Sequence, residues 1–145
     1  MGTRVDFYIL STSSEEERRL YACRLAEKAI LQGNKLHIQT NNEAEAQHLD
    51  NLLWSFKDTS FVPHAMSLDD KQPITIGFRE IPNLTNPDRI MLNLSDNFPQ
   101  INSKIPRIVE ILPKDGPVTI AGRERYKQYQ QQRFEINTHK IGAKT

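Results

Sequence analysis

The sequence predicts a single α/β domain built on a parallel sheet, and three observations carry that class. The first third alternates short apolar runs with capped, one-faced helical stretches. The last third repeats the pattern as a β-branched run, a proline-flanked turn and a long helical segment. Strands alternating with helices favour parallel pairing through crossover helices. The 145 residues are 37% hydrophobic and 26% charged, enough to bury one core without a second domain.

The elements follow in order. Val5-Asp6-Phe7-Tyr8-Ile9-Leu10 is short, apolar and aromatic, and stops at a run of Ser and Thr, as a buried strand does. Ser13 or Ser14 caps the next helix, because each has a glutamate three residues on. That helix sets Leu20, Cys23, Ala26 and Ile30 on one face and ends near Gly33-Asn34. Residues 35–39 form a second strand, and Asn41 or Asn42 caps a second helix with the apolar stripe Leu49, Leu52, Leu53 and Phe56. Strands are expected at 74–78 and 90–94, with polar, proline-bearing loops at 65–73 and 79–88. Residues 107–112 are the last core strand, after which Pro117 suits the first turn of a final helix reaching about residue 132.

Composition excludes several classes. Net charge is +1, so the chain lacks the broad basic surface that coats nucleic acid. No apolar run approaches the roughly 20 residues that span a bilayer. No leader pattern is visible, and the lone cysteine, Cys23, has no internal disulfide partner. A cytoplasmic protein is the expectation.

Catalytic and cofactor motifs are missing as well. Ser11-Thr12-Ser13-Ser14, followed by three glutamates, occupies the position where a phosphate-binding turn needs glycines and open N–H groups. His37, His48, His64 and His139 lack a second ligand at metal spacing, so no metal or other cofactor is expected. Cys23 reads as a small buried filler, and a Cys23–His64 dyad is the weaker alternative. Glu15, Glu16 and Glu17 complement a helix dipole, and Asp69-Asp70 falls in a loop.

Two segments carry positive information. Between 114 and 133 the chain has Lys114, Arg123, Arg125, Lys127 and Arg133 against Asp115 and Glu124. At helical spacing Thr119, Arg123, Tyr126, Lys127 and Gln130 share a face, while Ile120, Tyr129 and the arginine stems can turn inward. A local basic, aromatic face on a near-neutral chain points to a defined acidic partner; a merely solvated helix face is the competing reading. The other segment is Leu53-Trp54 followed by Ser60-Phe61-Val62-Pro63-His64. It is either a helix–strand junction tucked into the core or a partner surface anchored by Trp54 and Phe61 and stiffened by Pro63.

These two segments, with Phe7-Tyr8-Ile9-Leu10 at the start, resemble the chi-subunit family of bacterial DNA polymerase III. The likeness covers most of the chain and is most specific in Leu53-Trp54…Ser60-Phe61-Val62-Pro63-His64 and Arg123-Glu124-Arg125-Tyr126-Lys127…Tyr129…Phe134…Asn137-Thr138; it is weak from about 65 to 105. It implies one three-layer, Rossmann-like domain over residues 1–140, with helices on both faces of a mainly parallel sheet, the nucleotide site absent, and a short polar tail at 141–145. It further implies a non-catalytic adaptor of the polymerase holoenzyme. Such a protein binds the psi subunit of the clamp-loader complex and the acidic C-terminal tail of single-stranded DNA-binding protein, which ends in phenylalanine. An accessory helicase is a further partner by the same resemblance, and nucleic acid is reached only indirectly.

By that resemblance Arg123 grips the tail with Tyr126 beside it, and Asn137 and Thr138 belong to the segment returning past the site. Leu112, Ile136 and the stem of Arg123 would take the terminal ring, and Lys127 and Arg125 would attract the tail's aspartates. The family pattern can carry a base one turn before the arginine, where this chain has Thr119; Lys114 or Lys127 is then the substitute. Trp54, Phe61 and Pro63 would face psi. Two rival functions stay open: a small nucleotide-using enzyme on a Rossmann-like scaffold, and direct binding of single-stranded DNA by the basic helix and its tyrosines.

Overall fold

Side-chain alternation along the first strand sorts the whole molecule into two faces. The computed structural model describes residues 3–55, 64–65, 73–78, 89–97 and 107–141. Its elements are β1 (Arg4–Ile9), α1 (Glu15–Leu31), β2 (Lys35–Gln39), α2 (Glu43–Ser55), β3 (His64–Ala65), β4 (Ile74–Gly77), β5 (Arg89–Asn93), β6 (Arg107–Leu112), α3 (Pro117–Gln131) and β7 (Glu135–Lys140). The strands form one sheet in the order β3-β4-β2-β5-β6-β1-β7, and each of these pairings is parallel. Tyr8 and Leu10 pack on the side covered by α1 and α2, whereas Val5 and Phe7 pack on the side covered by α3. The fold is therefore the three-layer, Rossmann-like α/β arrangement.

Local chemistry starts and stops the helices as expected. Ser14 takes extended backbone angles and its Oγ accepts from the Glu17 N–H at 3.2 Å, with Glu15, Glu16 and Glu17 at the positive end of α1. Gly33 closes that helix at φ 86°, a left-handed turn that glycine enters without steric cost. Asn42 caps α2 through Oδ1 to the Glu45 N–H at 2.9 Å.

The buried stripe of α1 is Arg18, Ala22, Cys23 and Ala26, rotated from the expected one so that Leu20 and Ile30 are only half-buried. The small side chains let α1 lie close to the sheet. Arg18 is tolerated inside because its guanidinium donates to the carbonyls of Ile111 (2.6 Å) and Leu94 (3.3 Å) and to Glu15 (2.9 Å).

Strand β7 is the element that the sequence hid. Glu-Ile-Asn-Thr-His-Lys has one apolar residue, and it becomes a strand by pairing with β1, from Arg4↔Glu135 to Ile9↔Lys140. It ends the sheet, and its polar side chains suit an edge. The expected loops at 65–73 and 79–88 lie outside the described residues except for residues 65 and 73, as do Phe56, Phe61, Pro63 and Asp69-Asp70.

Two buried carboxylates tie elements together, Glu110 joining α3 to the sheet and Asp6 joining neighbouring strands within it. Glu110, fully buried on β6, accepts from Arg125 Nε (3.0 Å) and Nη2 (2.9 Å), Tyr129 Oη (2.7 Å) and Asn93 Nδ2 (3.0 Å). Arg125 donates its remaining arm to the Asp96 carbonyl at 2.9 Å. Burial alone would lower the pKa of Arg125, but the charge and hydrogen bonds of Glu110 raise it; burial and Glu110 push the Tyr129 phenol well up.

Asp6, equally buried on β1, receives Arg107 Nε (2.6 Å), Arg4 Nε (3.1 Å) and His139 Nε2 (3.1 Å). Burial opposes its ionisation, yet the hydrogen bonds from Arg107 and His139 and the charges of Arg107 and Arg4 hold its pKa below the usual range.

Removing one member of a buried pair strands the other. Arg125→Ala and Glu110→Ala should each destabilise the fold by about 3–5 kcal/mol in urea unfolding, and the double variant should lose clearly less than the sum. Additive losses would show that the pair is not coupled. For Asp6 the depressed pKa makes its contribution present above about pH 4 and lost as pH falls through the folded value. Asp6→Asn should therefore lie furthest below the unsubstituted protein at neutral pH, with the gap narrowing below about pH 4; a constant gap would contradict the assignment.

Candidate functional site

The last helix owes its position to the side chains that it buries. Thr119, Gly122, Arg125 and Tyr129 form its inward stripe. Thr119 Oγ1 donates to the Pro113 carbonyl at 2.8 Å and holds the first turn against the end of β6. At Gly122 an added Cβ would stand 2.5 Å from Leu112 Cδ2, so only glycine lets α3 come this close. Phe7 meets Tyr126 at 5.2 Å and Tyr129 edge-on at 5.9 Å, and Tyr129 lies 5.9 Å from Phe134.

Between α3 and strands β1 and β7 this packing leaves a pocket of about 470 Å³. Phe7, Ile9, Leu112 and Tyr126 supply its apolar surface. Arg123 and Lys127 line it from the exposed side of α3, and Lys114 reaches it from the β6–α3 loop. Apolar walls with a few convergent charges are the usual make-up of a ligand site, and the volume is within the usual range.

The structure brings Arg123, Tyr126, Lys127, Leu112 and Thr138 into this one pocket, together with Thr119 and Gln130 of the predicted helix face. Ile136 shares the sheet face of Thr138 but packs, half-buried, on the Tyr129 cluster. Asn137 pairs with Asp6 and alternates to the opposite face, beside His139. Two expectations need correction. Arg125 does not face solvent; it is 2% exposed and engaged by Glu110. Ile120 does not turn inward; it is 61% exposed, because Thr119 takes the buried place by satisfying a carbonyl. Trp54 is 51% exposed at the end of α2, and its expected companions Phe61 and Pro63 lie outside the described residues.

Sequence reading missed Phe7 and Ile9 as pocket walls, although their alternation with Asp6 and Tyr8 was the available signal.

The crevice where such folds bind nucleotides is built differently. α1 leaves β1 toward β2 on one face and α3 leaves β6 toward β7 on the other, so the switch point lies between β1 and β6. There the Leu10 N–H donates to the Leu112 carbonyl (2.9 Å), Lys114 N–H to the Thr12 carbonyl (2.8 Å), and Ser13 Oγ to Asp115 (2.6 Å). The two loops bond each other, and the Glu15–Glu17 run follows.

Cys23 is fully buried, and burial, reinforced by the charge of Glu16, pushes its thiol up to about 12 against the opposing pull of Arg24. It carries no thiolate at neutral pH. His37 is buried between Thr75 (2.8 Å) and Gln39 (2.9 Å), and His48 lies 3.3 Å from Glu16. Among the described residues no cluster of His, Cys, Asp and Glu is suited to a metal, and no helix is long and apolar enough to cross a membrane.

Fold and pocket together define a class: a Rossmann-like α/β domain whose crevice loops are tied together and whose accessible pocket lies beside the last helix. Residues 2–137 match the family described as DNA polymerase III chi subunit, HolC, and the chain belongs to that family. It is 32% identical over 145 residues to the DNA polymerase III subunit chi of Haemophilus influenzae, covering 98% of this chain and 100% of that one. It is 31% identical over 140 residues to the protein of the same name from Pseudomonas aeruginosa, covering 96% and 97%. The subunit of that name from Escherichia coli is 27% identical over 119 residues, 80% of each chain.

Because Gly122 and Leu112 meet where α3 touches β6, Gly122→Ala should destabilise the protein by about 1–2 kcal/mol despite its better helix propensity. In a Leu112→Ala background the same change should become neutral or stabilising. Thermal unfolding of the four proteins measures the reversal, and a Gly122→Ala effect of the same sign and size in both backgrounds would refute the clash.

Proposed function

We propose that this chain is a non-catalytic adaptor of the replicative DNA polymerase III holoenzyme. It bridges the clamp loader, through the psi subunit, to the acidic C-terminal tail of single-stranded DNA-binding protein. The observation that carries the reading is the pocket beside α3, where apolar walls lie under an exposed guanidinium, Arg123, with Lys127 one turn along. A tail ending in phenylalanine presents an aromatic ring and a free carboxylate on the same residue. The ring suits walls made by Phe7, Leu112 and Tyr126, and a guanidinium holds a carboxylate by two parallel N–H···O bonds, a geometry that lysine lacks. Thr138 borders the pocket from β7; Ile136 lies on the same sheet face against the Tyr129 cluster, and Asn137 points to the opposite face.

The psi-facing surface in this reading centres on Trp54, whose exposed ring at the end of α2 is a suitable interface anchor; Phe61 and Pro63 are assigned to psi by the family resemblance alone. An accessory helicase would compete there. DNA is reached through the tail rather than touched.

The test is a fluorescent peptide ending Asp-Asp-Asp-Ile-Pro-Phe, titrated with and without its last residue. Micromolar binding should depend on the terminal phenylalanine. Arg123→Ala should weaken it by about 10- to 100-fold, the loss of a charged hydrogen-bond pair, with the circular dichroism spectrum unchanged. Equal affinity for Arg123→Ala would overturn the site, and binding indifferent to the terminal phenylalanine but steeply salt-dependent would favour direct nucleic-acid contact instead.

A further inference from the structure

The family resemblance assigned the attraction of aspartates to Lys127 and Arg125, and the structure removes Arg125 by burying it on Glu110 at 2.9 and 3.0 Å. The positive charge at the pocket then comes from two elements. Arg123 and Lys127 ride on α3, and Lys114 stands on the loop that leads into it.

That loop is fastened along its length. The Pro113 carbonyl accepts from Thr119 Oγ1 (2.8 Å), Lys114 N–H is bound to the Thr12 carbonyl (2.8 Å), and Asp115 accepts from Ser13 Oγ (2.6 Å). The backbone of Lys114 is thus held in place while its side chain is exposed at the pocket. The nearby carboxylate, Asp115, is engaged by Ser13, and Glu124 on α3 lies 3.7 Å from Lys127. Thr119, the helix position nearest the loop on the pocket side, has its hydroxyl committed to Pro113 and carries no charge.

Resting on the tail-binding reading above, we propose that Lys114 is the site's acidity-reading residue: it selects peptides with carboxylates upstream of the terminal aromatic and speeds their capture. An exposed cation at the edge of a site acts mainly on association, through a field that salt screens. Arg123 holds the terminal carboxylate, and Lys114 and Lys127 flank it from different elements, so the aspartates meet positive charge on two sides.

The experiment is stopped-flow association of the Asp-Asp-Asp-Ile-Pro-Phe peptide and of its Asn-Asn-Asn-Ile-Pro-Phe counterpart. Lys114→Glu should keep the fold, since the residue's ordered contact is made by its backbone. Its association rate with the acidic peptide at low salt should fall at least fivefold, with less than a twofold change in dissociation. The difference should shrink toward nothing in 0.5 M salt and be absent for the asparagine peptide. Lys28→Glu changes net charge equally on the far side of the sheet and should leave the rate within twofold.

If the unsubstituted protein binds with terminal-phenylalanine dependence but Lys114→Glu associates at the same rate, the role of Lys114 is overturned and the site stands. A drop shared equally by Lys28→Glu also overturns it, since only net charge would then matter. If the unsubstituted protein shows no such binding, the tail-binding reading itself fails.

Discussion

The carboxylate of Glu110 decides which way the last helix faces. Four hydrogen bonds from three side chains converge on it, on the face of the sheet that α3 covers. A buried carboxylate without such partners would be costly enough to unfold an ordinary domain. Arg125 and Tyr129 therefore have to point inward. Once they do, the 3.6-residue period carries Arg123, Tyr126 and Lys127 to the flank of α3, where they line the pocket. The orientation of the exposed site is thus set by a polar contact that it never touches.

Much of this was legible in the residues. The strand–helix alternation, the Ser14 cap and Pro117 at the start of α3 gave the elements and their order because each is local chemistry. The run Arg123-Glu124-Arg125-Tyr126-Lys127 marked the right surface, and helical spacing put Arg123 on it with Tyr126 and Lys127. Arg125 sits roughly 200° away on the helix, and nothing in its own neighbourhood shows that it is buried. The deciding residue is on another element: a glutamate inside Arg-Ile-Val-Glu-Ile-Leu, a strand too apolar for an unpaired charge. Lys114 entered only through the family pattern, as a substitute for the base missing at Thr119, since a loop has no periodicity from which a direction can be read. Strand β7 escaped because its stability comes from β1 and not from its composition.

The tied crevice and the open pocket are complementary results of one economy of hydrogen bonds. At the switch point the two loops spend their donors and acceptors on each other, through Thr12, Ser13, Lys114 and Asp115. The same contacts fix the backbone from which Lys114 extends. A scaffold whose ends of strands usually hold a phosphate here holds a loop, and the accessible chemistry moves to the side of the following helix.

The position of β1 has a consequence for how the molecule comes into being. Its Asp6 is bonded to Arg107, 101 residues away, and to His139, 133 residues away. On the ribosome β1 is thus made well before the two strands that flank it, β6 and β7. Contacts this distant are slow to form and leave an early strand edge exposed meanwhile. The pocket draws its walls from β1, the end of β6, α3 and β7, so a nascent chain has no site to offer until β7 has been made and has docked. Competence to bind arrives all at once, with the docking of β7 on β1.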